Sequence, residues 1–175
     1  MEIPYFTINF CFYSDPKSYL DPVPDSEVKV FTNDDINQLL EVESTFYFNR
    51  GDHNFFSQHG KAHYSFWTHT FFLDKLDIKK ARDNNDHAVY LLLEKVKEFF
   101  NKYSITNDKI LTVLSSFNCR CKIMLVVPES KNGIIFDIST EHLKFMSGYD
   151  FKFSYYVLNS DRINTLINAA KSYGK

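Results

Sequence analysis

Cysteine is scarce in this chain: Cys11, Cys119 and Cys121 are the only three in 175 residues. An odd number with one Cys-x-Cys pair gives no disulfide framework. Two cysteines at that spacing on a strand share a face without bridging geometry. Five glycines and five prolines exclude collagen-like and linker-rich chains. No apolar run reaches the roughly 18 residues of a membrane-spanning helix. Met1-Glu2-Ile3-Pro4 carries an acid where a secretory signal would carry Lys or Arg. Together these absences predict a cytoplasmic protein.

Motifs of chemistry are also missing. There is no G-x-S-x-G elbow, no G-x-x-x-x-G-K-[ST] or G-x-G-x-x-G loop, and no H-E-x-x-H. Cys119-Arg120-Cys121 lacks the second pair that structural zinc needs. No catalytic residue, metal or cofactor is therefore expected. Net charge is only −2. Lys79, Lys80 and Arg82 have Asp74, Asp77 and Asp83 alongside, so no basic stripe invites nucleic acid.

What is present is aromatic: 18 Phe and 11 Tyr beside one Trp, in a chain 44% hydrophobic and 24% charged. That make-up predicts one globular domain over residues 1–175. Charge is unevenly distributed. Residues 1–45 hold nine acids and two bases, a net of −7, which leaves +5 for the remainder. Asp21, Asp25, Glu27, Asp34 and Asp35 belong to the acidic stretch, which suits a basic partner.

Tyr5–Tyr13 alternates Phe6, Ile8, Phe10 and Phe12 with smaller or polar residues, the period of a half-buried strand. Ser14–Ser26, with three prolines, reads as a loop, and Val28–Phe31 as a short strand. Thr32 or Asn33 caps a helix over Asp34–Val42. A long loop follows over residues 44–61, with a short strand at Thr45–Phe48. Ala62–Phe72 alternates as a strand. Val89, Leu92, Leu93, Val96, Phe99 and Phe100 give the longest helix, about His87–Tyr103. Three strands are expected next, at Ile110–Phe117, Cys121–Val127 and Ile134–Ile138, with an Asn132-Gly133 hairpin turn. Ser139 or Thr140 caps a helix at Glu141–Met146, ended by a left-handed Gly148. A strand at Phe151–Leu158 and a helix at Arg162–Ser172 complete the chain. The expected class is α+β: a two-layer sandwich with a mainly antiparallel or mixed sheet and helices on one face.

Four histidines, His53, His59, His63 and His69, fall close together. His63, Trp67 and His69 share strand parity, which places them as a polar-aromatic strip on the outer sheet face. Asn49-Arg50-Gly51-Asp52 reads as a turn.

The opening strand YFTINFCFY, the INQLLEV helix, Thr45 and Arg50-Gly51, the SFWTHT strand, the LLLEKV helix and the IST-E-HL-KF segment come in a telling order. That order resembles a bacterial family of small α+β domains to which no activity is assigned. The resemblance implies a fold and carries over no catalytic residue. In general type the chain is similar to bacterial immunity proteins, small domains that block a co-produced toxin. The expected function is therefore protein binding without catalysis, directed at a cognate partner such as a basic toxin domain. No nucleic acid or membrane is expected as partner, and a homo-oligomer stays open. Tyr19, Phe55 and Trp67 are the expected anchors, with Tyr13, Phe46, Phe48 and Phe56 as further candidates, and the acids named above would steer association. One alternative is a small-ligand or metal enzyme with a pocket of His59, His63, Trp67 and His69. The other is a regulatory homodimer paired through a sheet edge or face.

Overall fold

The computed structural model describes residues 7–14, 29–53, 60–62, 64–74, 76–77, 85–128 and 136–158. The elements are β1 (Thr7–Ser14), α1 (Asn33–Leu40), β2 (Phe46–Phe48), β3 (Phe66–Phe72), α2 (Asn85–Lys102), α3 (Asn107–Ser116), β4 (Cys119–Pro128), α4 (Thr140–Ser147) and β5 (Lys152–Leu158). The expected loop at Ser14–Ser26, the turn at Pro128–Gly133 and the helix at Arg162–Ser172 lie, all but their first residues at most, outside the described residues.

The strands form one mixed sheet in the order β2-β3-β1-β4-β5. β1 pairs antiparallel with both β3 and β4, while β5 runs parallel to β4. The parallel pair follows from the crossover through α4, since a helix between two strands returns the chain to the same end. Ile8, Phe10 and Phe12 stand beside Phe71, His69 and Trp67 on one side and Leu125, Ile123 and Cys121 on the other. This is the covered face. The helices bury Ile36, Leu40, Val89, Leu92, Leu93, Val96, Phe100, Ile110 and Val113 against it. The rings interlock edge to face: Phe10 meets Phe12, Trp67 and Phe100 at centroid distances of 5.2, 5.8 and 4.9 Å, the arrangement that the ring quadrupole favours.

Local chemistry explains the helix starts. Thr32 and Asp35 form a reciprocal capping box at α1. Thr106 caps α3 and Ser139 caps α4. Lys97 and Glu141 pair between α2 and α4.

Several sequence expectations need correction. Ile110–Phe117 is the helix α3, not a strand. Ile110, Val113 and Phe117 follow helical spacing, and Thr106 supplies the start, so local capping outweighs β-branched content. Lys29–Phe31 has no strand pairing, although Phe31 is buried. Of the strand expected at Ile134–Ile138, residues 136–138 are irregular, with Phe136 and Ile138 packed on the core. Gly148 ends α4 at φ −79°, outside the left-handed region. That conformation instead closes α1, at Glu41 with φ 58°.

Candidate open-face groove and edge strands

The second face of the sheet is set by the opposite parity. β1 presents Thr7, Asn9, Cys11 and Tyr13. Thr68 and Thr70 stand beside it on β3, and Lys122 and Met124 on β4. A polar row crosses its middle: Thr70 Oγ1 donates to Asn9 Oδ1 at 2.7 Å, and Asn9 Nδ2 to the Met124 carbonyl at 3.4 Å. Beside this row lies a groove of about 450 Å³, within the size range of small-ligand sites. Cys11, which is buried, and Met124 line its base. Tyr13, Tyr64, Phe66 and Tyr156 supply its rings, and Lys122 its charge. The Lys122 ammonium sits 5.0 Å from the centre of the Tyr13 ring, a cation–π distance.

A second cavity of about 300 Å³ adjoins the start of β4 and β5, with Arg120, Asp150 and Lys152 in its lining. Asp150 is engaged by Asn107, which donates to its carboxylate at 3.3 Å and accepts from its backbone at 2.8 Å. Lys152 stands opposite Lys122 in the β4–β5 register. Ser154 follows on the same face, opposite Met124, and its buried hydroxyl has no hydrogen-bond partner.

Exposed aromatics gather on the two edge strands. Phe46 and Tyr47 on β2, and Tyr155, Tyr156 and Val157 on β5, are each between 46% and 61% exposed. Those strands total only ten residues, yet they hold half of the ten large hydrophobics that are exposed among the described residues.

The expected site residues fare unevenly. Tyr19, Asp21, Asp25, Glu27 and Phe55 lie outside the described residues. Asp34 and Asp35 sit together in the first turn of α1. Asp35 is engaged there: its carboxylate accepts from the Thr32 backbone and hydroxyl at 2.7 and 2.8 Å. Trp67 is not an interface anchor. It is completely buried, and its indole N–H donates to Asn37 at 2.7 Å. Tyr13 is half-buried at the groove, while Phe46 and Phe48 lie at the β2 edge.

The histidine strip also needs correction. Trp67 and His69 lie on the covered face, because Phe10 and Phe12 are their partners. His69 stacks on Phe99 at 4.3 Å and contacts the Glu43 carbonyl through Nδ1 at 3.0 Å. Burial pushes its pKa below the ordinary 6.5. His53 bridges to Lys61 across the loop, and His59 and His63 lie outside the described residues. No group of three metal-ligating side chains occurs among the described residues. Burial raises the Cys11 and Cys119 thiols to about 12, and Cys121 well above its ordinary value. These sulfurs are poor nucleophiles at neutral pH. Asn49–Asp52 is a turn, closed by a 3.0 Å bond from the Asp52 N–H to the Asn49 carbonyl.

Sequence reading missed His142. It is completely buried, with Nε2 at 2.7 Å from Glu94 and Nδ1 at 2.8 Å from the Ser139 hydroxyl. With a neutral ring, Nε2–H donates to the carboxylate and Nδ1 accepts from the serine. Ser139 also accepts the His142 backbone N–H at 3.3 Å. The chain of bonds clamps α4 onto α2. Its available signal was the Ser139-x-x-His142 cap spacing, which does not name Glu94 as the third member.

Set against known proteins, the chain matches no family model, no curated protein and no solved structure.

Proposed function

We propose that the protein is a protein-binding module without catalysis, most concretely an immunity protein that neutralises a bacterial toxin by occlusion. The observation that carries this reading is the aromatic surface of the edge strands. Among the described residues nothing pairs with the outer side of β5, where Tyr155, Tyr156 and Val157 are exposed in succession. An unpaired strand edge offers backbone donors and acceptors to an added strand. Exposed tyrosines add anchors of large area at low entropic cost. The acidic first 45 residues suit a basic partner, whose approach they would accelerate. The resemblance in general type to immunity proteins points the same way.

The test is affinity capture of the tagged full-length chain from its native cells, beside the double variant Tyr155→Ser, Val157→Ser. A stoichiometric protein, toxic when expressed alone and lost from the variant, is the expected result. Capture of equimolar metal with no protein would overturn the reading in favour of a metal site. A second copy of the chain as sole companion would replace it with a homodimer.

A further inference from the structure

Lys122 and Lys152 pose an electrostatic problem. They are directly opposite in the parallel β4–β5 register, and like charges in that relation destabilise a sheet. Neither is ion-paired to any described residue; Lys122 stands over the Tyr13 ring. Arg120 lies two residues before Lys122, on the same face. Among the described strand residues this face carries no carboxylate at all, although acids outnumber bases by two in the whole chain. The nearest acid in the adjoining cavity, Asp150, is held by Asn107. Next along β5, the buried Ser154 hydroxyl lacks a partner. A cation pair and an orphaned hydroxyl on one face break local rules, and such conflicts mark functional positions.

The groove beside them adds the second half of the chemistry. Tyr13, Phe66 and Tyr156 give it ring surfaces, and Met124 gives a polarisable base. We propose that this groove binds a mononucleotide-like ligand, with its planar base among the rings and its phosphate against Lys122 and the neighbouring Lys152. A phosphate monoester carries close to two negative charges at neutral pH, which matches two ammonium groups. A ring stacks on aromatic side chains regardless of its identity. The mode is independent of the glycine-rich loops that the sequence lacks, and it shares only Tyr156 with the β5 edge.

Calorimetric titration of the full chain tests this with AMP, UMP, adenosine, inorganic phosphate and a short oligothymidylate. AMP or UMP should bind saturably. Adenosine and phosphate should each bind at least about tenfold more weakly, because each keeps only half of the contacts. The double variant Lys122→Gln, Lys152→Gln should weaken mononucleotide binding by about tenfold or more, while its melting temperature in the absence of ligand stays level or rises. Tyr156→Ala should weaken mononucleotide and adenosine alike and spare phosphate. The proposal fails if neither mononucleotide gives saturable heat with the unaltered protein. It fails equally if the lysine and tyrosine variants bind as tightly as the parent. Binding of the oligothymidylate with no binding of either mononucleotide would overturn it in favour of a nucleic-acid strand.

Discussion

His69 is a half-exposed imidazole held neutral by its surroundings. Burial against Phe99 lowers its pKa, and the contact with the Glu43 carbonyl offsets only part of that. A base with a lowered folded pKa favours the folded state when neutral. Its contribution is complete above the ordinary value of 6.5 and is lost as pH falls through the folded value. Urea unfolding at pH 8 and pH 5 should therefore show a smaller loss on acidification for His69→Gln than for the parent. Equal losses would remove the assignment. Trp67 follows from the same face. Trp67→Phe removes the indole bond to Asn37 and leaves a void, at a cost of roughly 1–3 kcal/mol, and it should leave partner affinity unchanged. A large affinity loss with little change in stability would return Trp67 to the interface. Sequence alternation placed Trp67 and His69 together on one face, but assigned them to the outer face, whereas they lie on the face that the helices cover. Which face is covered depends on β1, whose Ile8, Phe10 and Phe12 are fully apolar, and on register, which no local pattern fixes.

Among the elements, α1 was legible to within two residues at either end, because capping chemistry is local. Thr32 accepts from the backbone of Asp35, and Asp35 returns the bond. Thr32→Ala should cost about 1 kcal/mol in urea unfolding. Asp35→Asn should also destabilise, so Asp35 is a structural residue whatever partner the acidic stretch meets; unchanged stability would sink that statement. α3 was less legible. Its Ile110, Thr112 and Val113 are β-branched, and such residues favour strands in isolation. The Thr106 cap and the apolar positions 110, 113 and 117 decide otherwise once α1 and β4 supply a surface to pack on. Between α2 and α3, Ser104 adopts φ 49°, a left-handed conformation that costs an L-residue about 1 kcal/mol or more. Ser104→Gly should raise stability by up to about 1 kcal/mol, read from the urea midpoint. A lower midpoint would mean that the serine side chain contributes more than its backbone costs.

At the scale of the molecule, the α+β class followed from strands of period two alternating with amphipathic helices, and the mixed sheet bears it out. Strand order and the open-face groove did not follow, because they join Cys11, Tyr64, Lys122 and Tyr156 across long stretches of chain. Charge is the one long-range property that composition reveals directly. The first 45 residues are net −7 and the rest +5, a difference along the chain that a basic partner would feel as steering. Long-range steering acts on the association rate, and salt screens it over about 8 Å at physiological strength. Asp35 is engaged at α1, so the informative set is Asp21, Asp25 and Asp34, each replaced by Asn. In stopped-flow mixing with the captured partner, this triple variant should associate several-fold more slowly at low salt and converge with the parent at high salt. Its dissociation rate should hardly change, because steering acts before contact. Its stability should stay within about 0.5 kcal/mol of the parent. Identical association rates at low salt would show that the acidic stretch plays no part in the encounter, and would leave the aromatic strand edges to account for recognition alone.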